Sequence, residues 1–134
     1  VQVAAVAPGT FFLPPGNVAA ATALRVTPDN AQLPVAVFQC TASGCTAAPI
    51  DLGNDRVFLT LYGTGLRRRT SLANVRCTIG GVETEVLFAG PQGGFVGLDQ
   101  MNVEVPGSLR GRGEVPIILT VDGQTTNPVT INVR

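Results

Sequence analysis

The stretch Val75-Arg76-Cys77-Thr78-Ile79-Gly80-Gly81-Val82-Glu83-Thr84-Glu85-Val86-Leu87-Phe88 decides the fold class. Val75, Cys77 and Ile79 alternate with polar residues, which is the period-2 signature of a half-buried strand. Gly80-Gly81 reads as a two-residue hairpin turn, whose central residues take positive φ. The return strand Val82-Thr84-Val86-Phe88 is then expected to turn Glu83 and Glu85 to water. Cys77 falls on the apolar side, as a small core residue rather than a reactive thiol.

Working outward, the same alternation recurs between Gly, Pro, Asn and Asp punctuation. Val57-Leu59-Leu61 puts aliphatics on one face and Phe58, Thr60 and Tyr62 on the other. Upstream, Val18-Ala20-Thr22-Leu24-Val26 reads as one strand closed by the turn Thr27-Pro28-Asp29-Asn30, and Val35 to Thr41 as the next. Downstream come Met101-Val103-Val105, Ile117-Leu119-Val121 with the tight turn Asp122-Gly123, and Val129-Ile131-Val133. No window shows helical periodicity. About eight short strands with turns about every ten residues predict an all-β, antiparallel β-sandwich. The parity of Val96 and Leu98 disagrees with that of Met101, Val103 and Val105. A β-bulge or a crossing between sheets is therefore expected near Asp99.

Composition excludes much chemistry. The 134 residues hold no His, which removes the commonest general base and most zinc sites. All nine basic residues are Arg, so no Schiff-base or P-loop Lys exists, and nine acidic residues cancel their charge. A neutral chain gives no electrostatic footprint for nucleic acid or anionic lipid. No apolar run approaches the length that crosses a bilayer, so neither nucleic acid nor membrane insertion is expected. The start at Val1 predicts a removed leader or an excised fragment, and Val1 to Gly9 lacks the basic region of a signal peptide. In Cys40-Thr41-Ala42-Ser43-Gly44-Cys45 two cysteines flank a small polar tip, the arrangement of a bridged hairpin end; two free thiols and a metal site are the alternatives. A bridge there would contribute about 2 kcal/mol and mark an oxidising, extracellular setting.

The remaining polar motifs read as structural more than chemical. Arg67-Arg68-Arg69 is the only charge run, a solvated loop unless it meets an anion or acidic polysaccharide. Gly63-Thr64-Gly65 is no dinucleotide fingerprint, because no helix comes after it. Asp51-Leu52-Gly53-Asn54-Asp55 gathers oxygen ligands, yet its spacing is not that of an EF-hand and an Asx turn explains it. Glu83 and Glu85 sit beside a tight turn rather than in a cleft, so a glycosidase pair is not expected. Gln100 and Asn102 are expected to satisfy backbone groups across the bulge. No catalytic residue, metal ligand or cofactor is predicted.

The N-terminus stands apart. Val1-Gln2-Val3-Ala4-Ala5-Val6-Ala7 is β-prone, about 23 Å long if extended, and Pro8-Gly9 breaks it from the rest of the chain. Residues 1–9 thus read as an extension and 10–134 as the sandwich domain. Val1, Val3 and Val6 form a candidate assembly strand that adds to a neighbouring copy, or a first strand of the chain's own sandwich. Head-to-tail repetition of strand addition gives a filament. Phe58 and Tyr62 share an outward face and are either a subunit contact or a surface covered by the Cys40–Cys45 hairpin.

Four strings carry a resemblance: APGTFF at 7–12, LYGTGL at 61–66, VRCTIGGVETEVLFAGPQGGFVGLDQMNVEVP at 75–106 and VPIILTVDGQTTNPVTINVR at 115–134. Together they resemble the Solibacter-type C-terminal domain of acidobacterial secreted proteins. The resemblance implies an Ig-like, IPT/TIG-type sandwich, usually placed at the end of a larger extracellular protein, without known catalytic residues. Residues and resemblance together point to a secreted, non-enzymatic protein that acts by interaction. The expected partner is another copy of itself or the neighbouring domains of a surface protein. The leading expectation is a structural fibre subunit. The rival is a C-terminal adhesion module contacting carbohydrate or protein, though a single Tyr and no Trp offer sugars few platforms.

Overall fold

In the computed structural model, which describes residues 9–66 and 71–134, all regular structure is β-strand apart from two single-turn 3₁₀ helices. Val1, Val3, Val6 and the Arg67–Arg69 run lie outside the described residues. The first third of the chain supplies short strands: β1 (Gly9–Thr10), β2 (Phe12–Leu13), β3 (Val18–Ala19), β4 (Ala21–Val26), β5 (Gln32–Val35), β6 (Phe38–Thr41), β7 (Gly44–Ala47) and β8 (Pro49–Ile50). The rest supplies β9 (Arg56–Thr64), β10 (Val75–Ile79), β11 (Val82–Thr84), β12 (Val86–Pro91), β13 (Asp99–Glu104), β14 (Gly113–Val121), β15 (Gln124–Thr125) and β16 (Val129–Val133).

These strands form the expected sandwich. One sheet runs β12-β13-β9-β4-β5 with β1 also on β9, and the other runs β11-β10-β14-β16-β3-β2 with β15 on β14 and β8 on β16. Every pairing is antiparallel except those of β16 with β3 and with β8. Between the sheets lie Val57, Leu59, Leu61, Met101 and Val103 from the first and Cys77, Ile79, Ile117, Leu119 and Ile131 from the second, all buried. Burying a Val, Leu, Ile or Met side chain contributes roughly 1.5–3 kcal/mol, so strict alternation along the long strands is what holds the layers together.

Four readings from alternation need correction. Val18 to Val26 is not one strand. The chain leaves the second sheet after Ala19 and joins the first at Ala21, so Ala21 and Ala23 face the core while Thr22 and Leu24 face out. Alanine counts as apolar on either face and hides such a switch. Val35 to Thr41 is likewise two strands, β5 on the first sheet and β6 in a separate hairpin with β7. The return strand after Gly80-Gly81 also breaks: β11 stays in the second sheet, Glu85 turns the corner, and β12 belongs to the first. A register shift between Val86 and Phe88 marks a bulge that exposes both Leu87 and Phe88. This is the crossing that parity had placed near Asp99. There β13 runs unbroken, and Val96 and Leu98 lie in the loop before it. Asp99 is buried and its carboxylate accepts the Leu66 N–H at 2.8 Å.

Candidate interaction surface

Strand β9 fixes Phe58 and Tyr62 on the outer face of the first sheet, each half-buried, as their parity requires. Pairing sets Leu24 and Glu104 on either side of Phe58, and Asn102 between Thr60 and Phe88. Arg56 lies 5.0 Å from the Phe58 ring centre and donates to the Glu104 carboxylate at 3.1 Å. That hydrogen bond, then the Glu104 charge, pushes the exposed guanidinium pKa up. Gln100 donates to Asn102 at 3.0 Å and Asn102 to Thr60 at 3.2 Å. These amides bond each other and Thr60 rather than backbone groups, although the β12 bulge between Val86 and Phe88 lies opposite Asn102 and Val103. Leu24, Phe58, Leu87, Phe88 and the amides line a shallow groove of about 440 Å³.

The Cys40–Cys45 disulfide is formed, at the end of the β6–β7 hairpin. That hairpin does not cover Phe58 and Tyr62. The Cys45 N–H donates to Pro14 O at 3.0 Å, which holds the hairpin against the β2–β3 end of the second sheet. Cys77 is free and buried, and burial pushes its thiol pKa up to about 12. A thiol so held is a core residue.

The acidic motifs are engaged structurally. The Gly53 N–H donates to the Asp51 carboxylate at 3.0 Å, an Asx turn, and Asp55 pairs with Arg25 at 3.3 Å. Glu83 lies across from Arg76 at 3.9 Å on the exposed β10–β11 edge. Among the described residues no group of three or more His, Cys, Asp or Glu could hold a metal ion.

Two features escaped sequence reasoning. Phe95 and Val96 stand 72% and 107% exposed at the tip between β12 and β13. Their signal was an apolar pair set between glycines, Gly93-Gly94-Phe95-Val96-Gly97. The second is edge protection. Gln92 bonds Leu98, and Thr27 bonds Ala31, across their ladders. Antiparallel alternation then turns Pro91 on β12, and the backbone of Gln32 and Pro34 on β5, to the outer side of those strands. Each edge of this sheet thus presents a proline without an N–H, which shortens any ladder a new strand could make.

The disulfide fits an oxidising compartment, and no helix among the described residues is long and apolar enough to cross a membrane. No curated protein and no solved structure matches the chain. A family model does: the IPT/TIG domain matches residues 53–133, from the loop before β9 to the end of β16. The match supports the Ig-like sandwich and adds nothing for the narrower Solibacter-type resemblance. With more than half its length covered, the chain belongs to the IPT/TIG domain family.

Proposed function

We propose that this chain is a secreted, non-enzymatic structural protein, a subunit of a filament or surface fibre that joins head to tail by strand addition of Val1–Ala7. The observation that carries this reading is how the chain is fastened where that segment attaches. Gly9 and Thr10 pair with Thr64 and Gly63 at one end of β9. Thr10 also receives from and donates to Asn127, just before β16: Thr10 N to Asn127 Oδ1 at 3.0 Å, Thr10 Oγ1 to Asn127 O at 2.9 Å, and Asn127 Nδ2 to Thr10 O at 3.0 Å. A pull on residues 1–8 is therefore shared between both sheets, as a linking segment requires. Because the edge prolines shorten the available ladder, backbone pairing of Val1, Val3 and Val6 would be supplemented by apolar contact beside β12.

Deleting Val1–Ala7 tests this. The expected product is a folded monomer by sedimentation velocity, with no fibres in negative stain, while the full chain polymerises. A full chain that stays monomeric at high concentration, or a deletion that polymerises unchanged, refutes it.

A second reading is a binding module at the end of a larger extracellular protein. It is favoured by the uncharged groove in which Gln100 and Asn102 lie among Phe58 and Phe88, groups able to contact carbohydrate or protein. Titration with neutral oligosaccharides, monitored at the Asn102 side-chain amide, separates it from assembly.

A further inference from the structure

The first and last strands run the same way and leave the domain at opposite ends. β1 and β4 are both antiparallel to β9, β4 continues β3 through Ala20, and β3 is parallel to β16. Gly9 lies opposite Thr64, beyond the start of β4. Arg134 lies at the other end: its N–H donates to Ile50 O at 2.8 Å, and Arg25, near the far end of β4, donates to Leu52 O at 3.1 Å. Tension between the two ends therefore draws β1 and β16 lengthwise, in opposite directions. Inter-strand hydrogen bonds lie across the strand axis. A strand drawn along its axis loads them together, whereas one peeled from its tip loses them one at a time.

The bonds that meet this pull join the first strand to the last. Thr10 is buried and shares three hydrogen bonds with Asn127, two residues before β16. In two of them the Asn127 side-chain amide treats Thr10 as a neighbouring strand would, accepting from its N–H and donating to its carbonyl. A second tie follows: Asn17 Nδ2 donates to Pro128 O at 3.3 Å, and Asn17 O accepts the Thr130 N–H at 2.9 Å. Gly63 lets β1 close on β9, since a Cβ there would collide with Gly9 O. That is the place of the Gly63-Thr64-Gly65 string in the fold. Neither Gly9 nor Thr10 belongs to the apolar core, so what β1 supplies is attachment.

We infer that the domain is a load-bearing link whose mechanical clamp is the Thr10–Asn127 contact. Tension entering at Gly9 passes through that contact to β16 and leaves at Arg134, without relying on the packing between the sheets. The inference goes beyond strand addition: it describes one folded domain held at its ends, and it applies equally to a fibre subunit and to a module of a longer chain.

The test is constant-force unfolding of the full chain in optical tweezers, with handles fused at both ends, beside urea unfolding of the same proteins. Asn127→Ala removes two of the three clamp bonds and is expected to shorten the lifetime under tension roughly tenfold or more. Thr10→Val removes the third bond and should shorten it by less, while Thr10→Ser keeps all three and should match the parent. Ile79→Ala, in the buried core away from the clamp, should lose more than Asn127→Ala in urea yet outlast it under tension. Moving one handle to Arg112→Cys, beside the Gly113–Val133 pair, makes tension peel β14 from β16, and the chain should then open at lower force. Cys77 is buried and Cys40 and Cys45 are bridged, so the introduced thiol takes the handle. A lifetime order under tension that follows the urea order overturns the inference, as does a chain that holds as long when peeled as when pulled end to end. Should Asn127→Ala fail to fold, Asn127→Asp carries the same comparison, because it keeps the acceptor for the Thr10 N–H and loses the donor to Thr10 O. Single chains are read, so loss of fibres on deleting Val1–Ala7 and loss of lifetime in Asn127→Ala are separate results, and each reading stands or falls alone.

Discussion

Residues 9–50 and residues 56–133 build the same sandwich by different means. In the later region β9 and β14 each run nine residues with buried and outward side chains alternating almost without exception. Both are flanked by strands on two sides, so their backbone groups are satisfied and side-chain parity is the remaining choice. In the earlier region no strand exceeds six residues. Apart from β4, which is paired along its length with β9 and also with β5, its segments are held by short pairings and single ties: the Cys40–Cys45 bridge, the Thr10–Asn127 clamp, and Arg25, which donates to Leu52 O at 3.1 Å as well as to Asp55. The comparison teaches that burial decides the interior strands, while discrete polar and covalent ties decide the periphery.

The largest effect that could break this comparison is in β14. Leu119→Ala removes a fully buried side chain and is expected to cost about 2–5 kcal/mol in urea denaturation. Leu33→Ala on β5, where Leu33 is 48% exposed, should stay within about 0.5 kcal/mol. Equal losses would mean that the edge is packed as tightly as the interior. Next in size is the covalent tie. Replacing both Cys40 and Cys45 by Ser should cost about 2 kcal/mol, since the bridge closes only a short loop. Hydrogen exchange should show the first loss of protection in β6 and β7 rather than in β14.

The same division explains what could be read from the sequence. Val57-Leu59-Leu61, Ile117-Leu119-Val121, Val129-Ile131-Val133 and the Gly80-Gly81 turn were legible because one period and one turn chemistry specify them. The sheet changes at Ala20 and Glu85 were not. Alanine carries no parity information, and a corner residue such as Glu85 is exposed whichever sheet the next strand joins. Phe58 and Tyr62 could be assigned an outward face from β9 alone. The groove could not be anticipated, because it needs Leu24 and Phe88, both placed by those two changes.

The Gly80-Gly81 turn gives a smaller effect within the regular region. Both residues are left-handed, with φ of 58° and 80°. Gly81→Ala meets open space and should cost about 1–2 kcal/mol for backbone strain alone. Gly80→Ala should cost more, because a Cβ there would lie 3.0 Å from Leu109 Cδ2 and 3.1 Å from Val115 Cγ1. Identical melting of the two variants would show that these side chains yield freely.

The smallest effect compares the cysteines themselves, bridged at the periphery and buried in β10. Burial raises the Cys77 pKa from 9.0 to about 12 in the folded state. Folded protein therefore keeps its proton where unfolded chain loses it. Stability from this source is complete below pH 9 and declines as the pH rises toward 12, by about 1.4 kcal/mol per unit. The alkaline range is unusually clean here: there is no Lys to titrate, and Cys40 and Cys45 are bridged. Urea denaturation of parent and Cys77→Ala at pH 7 and pH 10 isolates the effect, since the two differ only at that side chain. The parent should lose about 1.4 kcal/mol more than the variant over that interval. Parallel losses would mean that water reaches Cys77, and that burial does not hold even in the strand whose alternation specified it.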